Sequence, residues 1–467
     1  MKLKVSEVLR AAPGSLLQGP AQAVLSGVSI DSRRTSPGEL FVPLTGNNCD
    51  GHLFIRDAFN NGAQASFVRQ GHPLLGQLLA CGTDKALIAV ADPLQALGEV
   101  ARWWRKQFQI PVVAITGSNG KTTTKEMLWQ ITSIRLAALK NPGNWNNLIG
   151  LPLSLLQLHE GHQVGIMEMG MSERGEIQRL AEISAPHIAV ITNIGPAHLE
   201  QLKTIDNIMA AKGELFAALG AADIAVVNRD DERVMVLAQK TRARILSFGT
   251  REGDIRGELV QIYDSGETVF NLDIMGKQDV VTLAPPGGIF LSNALAAAAV
   301  AHALNMRMEE IKQGLEAFRP IPGRMEIIRV DGITIINDSY NANPISMEAS
   351  LKLLSAAKQK HRTIAVLGDM LELGEHSPGY HREVGRATAR CGIDFLFVYG
   401  QFSASVAEGA RADGMSAQHV FTFDRQEVLR EKLRDEVHEG DWVLVKGSRA
   451  MKMEQIVEFL QRKAEAG

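Results

Sequence analysis

The sequence has little cysteine and lacks an apolar run long enough to cross a membrane. Its three cysteines, Cys49, Cys81 and Cys391, are too widely spaced for a zinc site, and an odd number cannot pair fully into a disulfide framework. The first 14 residues lack the apolar segment of a signal peptide, and the most apolar later stretch, Ala294–Leu304, is interrupted by His302. These absences predict a cytoplasmic protein that neither spans nor crosses a membrane.

Neither sign of charge is in large excess. Lys and Arg number 49 against 52 Asp and Glu, so no basic field is available to hold nucleic acid or an anionic membrane. Apolar residues make up 45% of the chain and charged residues 22%, which is typical of a soluble globular protein. At roughly 100–200 residues per domain, the 467-residue chain has length for about three domains.

The pattern of apolar residues changes near residue 85. Before this point the sequence alternates short strands with turns, and after it Pro93–Phe108 predicts an amphipathic helix. Short continuous apolar runs follow, of the kind that strands buried on both faces of a parallel sheet require: Val112–Thr116, Val164–Met167, Ile188–Thr192 and Ile224–Val227. We predict an α/β protein with a small α/β domain at 1–85 and a central parallel-sheet domain at 86–318.

The end of the central domain has a different pattern. Asp264-Ser265-Gly266 separates two alternating strand patterns within Gly257–Leu283, which predicts an antiparallel hairpin. An Ala-rich helix is expected from about Asn293 to Leu304.

A turn-rich segment, Arg319–Arg324, follows Phe318 and contains two prolines and a glycine that cannot continue a helix. We interpret it as a hinge. Beyond it, further buried runs alternate with helices, the last helix beginning near Arg449: Ile333–Ile336, Ile364–Leu367, Phe395–Tyr399, Val420–Phe423 and Val443–Val445. This alternation predicts a C-terminal domain at 319–467 that is Rossmann-like and doubly wound.

The strand Val112–Thr116 runs directly into a glycine-containing loop and then into a predicted helix. Glycines let backbone N–H groups approach phosphate oxygens, and the start of a helix adds partial positive charge. Lys121 can reach the terminal phosphates of ATP, and the Thr122 hydroxyl can hold Mg²⁺. The order of strand, loop and helix predicts a nucleotide site whose phosphate-binding residues are Gly117, Ser118, Asn119, Gly120, Lys121, Thr122 and Thr123.

The loop departs from the strict nucleotide-binding pattern, which places a glycine where this chain has Ile115. The alternative interpretation is a tight turn that caps the helix, with Lys121 pointing into solvent. We favour the phosphate loop because a buried strand and a helix flank it in the required order.

Polar residues follow other predicted strands at the edge where ligands of parallel sheets gather. Glu168 ends the second strand and is a hard oxygen ligand suited to Mg²⁺. Asn193 follows the third, and His198 comes shortly after it. Asp338 follows the strand Ile333–Ile336. The alternatives are a turn carboxylate at Glu168 or Asp338 and a structural histidine at His198.

Two further residues carry no functional signal by themselves. Lys212, within a helical pattern, is expected to be a solvated lysine. Asn293, at the head of the Ala-rich stretch, is expected to be a helix N-cap.

Taken together, these motifs resemble those of the Mur ligase family over nearly the whole chain. The segment Ile115–Thr124 is similar to that family's version of the phosphate loop, including its glycine spacing. Further family-like motifs occur at Glu168, Asn193–His198, Ala211-Lys212, Ser292–Ala294, Gly323-Arg324 and Asn337–Ser339.

The resemblance implies that ATP phosphorylates a substrate carboxylate and that an amine attacks the acyl phosphate. It implies catalytic roles for Lys121, Glu168, His198 and Lys212, with Lys212 carbamylated so that it becomes an anion. Mg²⁺ would be held by Thr122, Glu168, His198 and modified Lys212. Asn293, Arg324 and Asp338 would contact adenine, phosphate and ribose, which requires the C-terminal domain to close about Pro320–Gly323.

The resemblance also implies the other substrates. Asn337–Pro344 and Gly368–Gly374 are similar to signatures of the family member that adds D-Ala-D-Ala to UDP-MurNAc-tripeptide. The C-terminal domain would bind the incoming dipeptide, the front domain would hold the UDP-sugar peptide, and the enzyme would be a monomer. The resemblance assigns substrate contacts to Asp31, Ser32, Arg33, Gly46, Asn144 and Asn147.

Three alternatives stay open. A sister ligase that adds the third peptide residue is disfavoured because the chain lacks an Asp-Asn-Pro-Arg segment. A folate-polyglutamate ligase shares the loop chemistry but would not need the domain before residue 85. A nucleotide-switched binding protein would hydrolyse ATP without depending on an acceptor amine.

Overall fold

The computed structural model describes residues 2–46, 49–80, 84–263, 267–284, 287–358 and 360–465. The predicted turn Asp264-Ser265-Gly266 lies outside these residues, as does Cys81. None of the helices in the described ranges combines the length and the hydropathy that a bilayer crossing requires.

The first part of the chain folds around a small mixed sheet. The strands of this part of the chain are β1 Leu3–Lys4, β2 Gly14–Gln18, β3 Val24–Leu25, β4 Gly27–Ser29, β5 Glu39–Phe41, β6 Ala65–Arg69 and β7 Ala86–Val90. Its helices are α1 Val5–Ala11, α2 Ile55–Asn60 and α3 Leu75–Ala80. The main sheet has the order β2-β7-β6-β5-β4, with β2 antiparallel to β7 and the other neighbours parallel.

This sheet extends past the boundary predicted near residue 85. Strand β7 pairs with β6 from Ala65↔Ala86 to Arg69↔Val90, so it belongs to the front sheet and not to the central one. The apolar run of β7 is as continuous as those of the central strands, and the sequence pattern alone therefore could not assign it to a sheet.

The central part of the chain contains a large sheet flanked by helices. Its strands are β8 Val112–Thr116, β9 Ala138–Lys140, β10 Val164–Glu168, β11 Ile188–Ile191, β12 Ile224–Asn228, β13 Arg244–Gly249, β14 Ile255–Ile262, β15 Thr268–Ile274 and β16 Lys277–Leu283. Its helices are α4 Pro93–Arg105, α5 Lys121–Thr132, α6 Gly150–Leu155, α7 Glu176–Ser184, α8 Leu199–Leu202, α9 Ile205–Ala217, α10 Glu232–Ala238, α11 Gly288–Ala303 and α12 Met308–Ala317.

The strand order of the central sheet is β16-β15-β14-β13-β12-β11-β8-β10-β9. The strands from β9 to β14 run parallel, and β14, β15 and β16 form antiparallel pairs, which confirms the predicted antiparallel hairpin within Gly257–Leu283. Every residue of β8, β10 and β11 is buried. Their continuous apolar sequences follow from this burial, because helices cover both faces of the sheet.

The C-terminal part of the chain is also an α/β layer structure. Its strands are β17 Glu326–Val330, β18 Ile333–Asp338, β19 Thr363–Gly368, β20 Phe395–Tyr399, β21 Val420–Phe423 and β22 Trp442–Lys446. Its helices are α13 Pro344–Ala357, α14 Ser377–Arg390, α15 Ser403–Ala412, α16 Gln426–Glu436 and α17 Glu454–Glu465. The sheet order is β17-β18-β22-β19-β20-β21, with only the edge pair β17–β18 antiparallel among these strands.

The C-terminal domain packs against the phosphate loop. Asn343, which caps α13, exchanges amide hydrogen bonds with Asn119 of the loop, at 2.7 and 3.3 Å. Ile345 lies so close to Gly195 that a Cβ atom there would come within 2.2 Å of its Cδ1. The carboxyl ends of the central and C-terminal strands therefore face one shared cleft.

Candidate nucleotide and ligation site

The cleft between the central and C-terminal domains has a volume of about 510 Å³. It brings together most of the predicted site residues, although they come from distant parts of the sequence. The predicted residues that line it are Ser118, Asn119, Gly120, Lys121, Thr122, Thr123, Asn144, Asn147, Glu168, His198, Asn293, Arg324 and Asp338. The cleft lining does not include Gly117, Lys212, Asp31, Ser32, Arg33 or Gly46.

The loop after β8 depends on its two glycines. Gly117 has φ +150°, and a Cβ atom there would lie 1.9 Å from the Thr192 hydroxyl oxygen. Gly120 has φ +80°, and its Cβ would lie 2.1 Å from Oδ1 of Asn293. Because Gly120 is also the N-cap of α5, no side chain covers the N–H groups of the first turn, which favours an anion there.

The segment after β11 holds the loop from behind. The Thr192 hydroxyl donates to the Asn119 carbonyl at 2.6 Å, and the Asn193 side chain accepts from the Asn119 N–H at 2.9 Å. The Ser118 hydroxyl and Gly195 also exchange hydrogen bonds at 2.9 Å. These hydrogen bonds, made by polar residues that follow β11, hold the loop in a pre-formed conformation.

Two lysine ammonium groups converge on the carbonyl oxygen of Gly117. Lys121 Nζ lies 2.7 Å from it and Lys212 Nζ lies 3.0 Å from it. Lys212 is only 1% exposed, so the expectation of a solvated lysine is wrong. Burial, helped by the charge of Lys121, holds the pKa of Lys212 well below its usual range. Burial also lowers the pKa of Lys121, against the opposing effect of Glu168.

Glu168 ends β10 inside a buried polar cluster. Its Oε1 accepts from the Asn146 amide at 2.7 Å, while its Oε2 is buried without a hydrogen-bond partner. Lys125 Nζ lies 3.5 Å from Oε2 and also bonds the carbonyl oxygens of Asn141 and Gly143. A carboxylate oxygen that is buried, charged and not hydrogen-bonded fits a hard cation such as Mg²⁺.

His198 faces the cleft from the residue before α8. Its Nδ1 lies 2.6 Å from Oε2 of Glu372 in the C-terminal domain, and this pairing lowers the pKa of Glu372. The backbone of His198 is left-handed, with φ +58°. Such a conformation is uncommon outside glycine and clusters at functional sites.

Asp338, at the end of β18, is held by three donors. The Met325 N–H donates to its Oδ1 at 3.1 Å, the Ser350 hydroxyl donates to its Oδ2 at 2.7 Å, and Lys446 Nζ also donates to Oδ2. The carboxylate therefore fixes the loop that starts at Asp338 as well as lining the cleft. Arg324 stacks its guanidinium over the Tyr340 ring at 4.0 Å.

Asn293 lies in the interior of α11 and not at its start. The helix begins at Gly288, so the N-cap interpretation is wrong. Apolar periodicity cannot locate the start of this helix, because apolar residues occupy most of its positions on all faces. The Oδ1 atom of Asn293 accepts from the Thr124 hydroxyl at 3.4 Å, which places its amide beside the phosphate loop.

The predicted substrate residues of the front domain lie outside the cleft. Asp31 N-caps a short 3-10 turn, Ser32–Arg34, and pairs with the guanidinium of Arg33 at 2.8 Å. This hydrogen bond lowers the pKa of Asp31 to about 2. The Arg33 side chain is 86% exposed, so it is free of other packing in this arrangement.

The loop that carries Gly46 is braced by a carboxylate and two stacked histidines. Asp50 accepts from His52 Nδ1 at 2.7 Å and from His72 Nε2 at 2.9 Å. The second ring nitrogens accept the backbone N–H groups of Arg69 and Leu74.

All four nitrogens of these rings are therefore engaged, with both rings in their neutral form. The three side chains have a spacing that could suit a metal ion. Because no ring nitrogen is left with a free lone pair, we interpret the group as a hydrogen-bonded brace.

Sequence reasoning missed the side chains that support the predicted ligands. Lys125 follows Lys121 by one helical turn and therefore lies on the same face of α5, a spacing that could have revealed it. Asn146 lies between the predicted Asn144 and Asn147. Glu372 lies within the noted segment Gly368–Gly374, but nothing in the sequence pairs it with His198.

A phosphate loop on a parallel sheet, a buried acidic group and a second domain across the cleft define a nucleotide-dependent enzyme of the ligase class. Family models match three segments of the chain and support this class. The Mur ligase family catalytic domain matches residues 24–105, the Mur ligase middle domain matches 115–301, and the Mur ligase glutamate ligase domain matches 323–449.

Similar proteins cover the whole chain. The UDP-N-acetylmuramoyl-tripeptide–D-alanyl-D-alanine ligases of Treponema pallidum and Bacillus subtilis are 36% and 34% identical, over 99% and 94% of this chain and 100% and 94% of their own. A crystal structure of MurF from Acinetobacter baumannii superposes with a TM-score of 0.89 at 32% identity, covering 99% of both chains. MurF from Thermotoga maritima in complex with ADP gives 0.83 at 29% identity, covering 94% of this chain and 98% of that one.

The chain belongs to the Mur ligase family. The family resemblance and the three-domain α/β fold expected from the sequence are confirmed.

Proposed function

We propose that this chain uses ATP to join D-alanyl-D-alanine to the terminal carboxylate of UDP-N-acetylmuramoyl-tripeptide, giving the pentapeptide precursor of peptidoglycan. The activity for which its full-length relatives are named supports this proposal. The observation that carries the proposal is the cleft in which a phosphate loop faces the segment after β18 of the C-terminal domain.

In the first step a carboxylate oxygen of the tripeptide attacks the γ-phosphorus of ATP. The bond from phosphorus to the β,γ-bridging oxygen breaks, and ADP leaves with its electron pair. Lys121 and the free N–H groups at the start of α5 offset the negative charge as the phosphoryl group moves. The product is an acyl phosphate.

In the second step the amine of D-Ala-D-Ala attacks the acyl carbon. Inorganic phosphate leaves and carries away the oxygen that came from the carboxylate, and the amine loses a proton. An acyl phosphate hydrolyses in water, so the reactants must be held together away from solvent. The contacts of Asn343 with Asn119 and of Ile345 with Gly195 hold the two domains together beside the cleft and would help to do this.

We assign the magnesium site to Thr122, Glu168 and His198. The unbonded Oε2 of Glu168 and the donor types of the three side chains fit the ion. When bound, Mg²⁺ would neutralise phosphate charge.

Lys212 would join the site if it were carbamylated. Its depressed pKa favours the neutral amine, which is the form that reacts with carbon dioxide. The resulting anion would pair with Lys121, which shares the Gly117 carbonyl with it. We include this modification in the proposal.

The remaining assignments complete the proposal. Asn293, Arg324 and Asp338 would contact the nucleotide, and Asn144 and Asn147 would contact the peptide substrate at the cleft. The front domain, with Asp31, Ser32, Arg33 and Gly46, would hold the UDP-sugar. The enzyme would act as a cytoplasmic monomer of three domains, with the first boundary placed after β7 instead of at residue 85 and the second between residues 318 and 319.

The test is to incubate the protein with ATP, Mg²⁺, UDP-MurNAc-tripeptide and D-Ala-D-Ala and to determine product masses. We expect UDP-MurNAc-pentapeptide, with ADP formed in equal amount. In two parallel reactions, UDP-MurNAc-tripeptide and D-Ala-D-Ala are replaced by UDP-MurNAc-dipeptide plus a diamino acid, or by a folate plus glutamate. Product in only one of these reactions would replace the proposal by the corresponding ligase, and ADP formation independent of any acceptor would indicate a nucleotide switch.

A further inference from the structure

The contact between His198 and Glu372 joins two domains at the cleft. His198 precedes α8 of the central domain, and Glu372 lies in the loop after β19 of the C-terminal domain. Nδ1 and Oε2 lie 2.6 Å apart. Because a bare ring nitrogen and a carboxylate oxygen would repel at this distance, the contact favours a proton on Nδ1, although its angle is outside hydrogen-bond geometry. In a neutral ring the proton therefore lies on Nδ1, and Nε2 carries the free lone pair.

Backbone contacts hold the same two segments together. The Glu200 N–H donates to the Glu372 carbonyl at 2.9 Å. A Cβ atom on Gly374 would lie 3.3 Å from the Cα of Glu200, so the two chains are in close contact there.

Both residues of the pair have left-handed backbones, with φ +58° at His198 and +63° at Glu372. Neither is a glycine, and such conformations persist only where the surroundings enforce them. Two residues with this backbone conformation therefore meet across the domain boundary.

We propose that Glu372 is a positioning residue that orients the His198 ring for metal binding through Nε2 only when the C-terminal domain is closed. The inference rests on the magnesium site of the proposed function. Histidines that bind metals usually donate their other ring N–H to a carboxylate, which fixes the tautomer and the ring. Here the carboxylate comes from the other domain, so closure and completion of the metal site become one event.

In this arrangement Nδ1 of His198 does not have hydrogen-bond geometry with the Glu372 carboxylate. The Glu372 side chain is 52% exposed and has room to rotate. Its removal should therefore leave the fold intact, which thermal unfolding of the variant can verify.

The experiment measures Mn²⁺ binding by electron paramagnetic resonance in the full chain with a non-hydrolysable ATP analogue. We expect Glu372→Ala to weaken one Mn²⁺ site by about 10–100-fold, and His198→Ala to weaken the same site at least as much. The double variant should be no weaker than His198→Ala alone, because both changes remove the same interaction. Glu372→Asp should recover part of the affinity.

The matched control is Glu375→Ala, which removes an 88% exposed glutamate three residues further along. It should leave Mn²⁺ binding unchanged. Additive losses in the double variant, or Mn²⁺ affinity unchanged by Glu372→Ala, would overturn the proposal. The pentapeptide assay tests the proposed function independently. If the wild-type protein forms pentapeptide but His198→Ala leaves Mn²⁺ binding unchanged, only the positioning role is refuted.

Discussion

At the scale of single residues, the site depends on how buried charges are compensated. Lys121 and Lys212 share one carbonyl oxygen, and Lys125 lies against Glu168. Two lysines so close together repel each other unless a counter-anion is near, and burial lowers the pKa of both, that of Lys212 well below its usual range. The phosphates of ATP would supply such an anion beside Lys121.

Lys121→Ala should reduce turnover by at least about 10²–10³-fold, because it removes the cation that offsets phosphate charge as the phosphoryl group moves. Steady-state rates of ADP and product formation measure the loss. Lys352→Ala, at a 68% exposed lysine of α13, is the control and should keep wild-type rates. Comparable rates for Lys121→Ala and wild type would remove Lys121 from the mechanism.

Lys212→Ala should also lose activity, and a short carboxylate such as acetate or propionate in the buffer should restore part of it. The added anion would occupy the space left by the carbamylated side chain. The same carboxylate should not rescue Lys121→Ala, where a cation is missing. Wild-type turnover in Lys212→Ala without any additive would refute the carbamate.

At the scale of secondary-structure elements, the carboxyl ends of buried strands organise the cleft. The sequence could predict β8, β10, β11 and β18 because continuous apolar runs reveal strands covered on both faces. It could also predict that polar residues after them converge. It could not predict the burial of Lys212, since a lysine in a helical pattern is usually solvated and only tertiary packing places it behind the loop.

The start of α5 offers a test of the loop itself. Gly120→Ala should weaken ATP binding by more than tenfold, because the new methyl group would collide with Asn293 and the φ of +80° disfavours alanine. Isothermal titration with an ATP analogue measures this. Gly276→Ala is the matched control, with φ +88° but nothing within 4 Å, so it should lower stability slightly without affecting nucleotide affinity. Equal affinities of Gly120→Ala and wild type would contradict the close approach.

At the scale of the whole molecule, contacts between domains could not be predicted from the sequence. The pairs Asn119–Asn343 and His198–Glu372 each join residues more than 150 positions apart, and no local pattern specifies such partners. The sequence pattern predicted the three domains and the resemblance implied the chemistry, whereas the three-dimensional arrangement shows which side chains meet across the cleft.

Histidines with lowered pKa values predict how the folded state responds to acid. Desolvation lowers the pKa of the buried His52, and of the more exposed His162 and His187, below the usual 6.5. The unfolded chain therefore binds more protons than the folded one as pH falls through about 6.5, and the free energy of unfolding decreases there. The thermal unfolding midpoint should drop between pH 7.5 and 5.5.

His52→Gln should make that drop smaller, whereas His376→Gln, at a side chain that is 54% exposed, should not change it. A wild-type midpoint that stays constant or rises between pH 7.5 and 5.5 would contradict the lowered pKa values of these rings.

The central claim is that the peptide carboxylate itself accepts the phosphoryl group of ATP. The most direct test uses UDP-MurNAc-tripeptide whose terminal carboxylate carries ¹⁸O in both oxygens, with unlabelled ATP and D-Ala-D-Ala in ordinary water. Mass spectrometry of the released phosphate should find one ¹⁸O per molecule of pentapeptide formed, because the attacking oxygen leaves with phosphorus. Phosphate without ¹⁸O alongside pentapeptide would contradict the acyl phosphate and the site built around it.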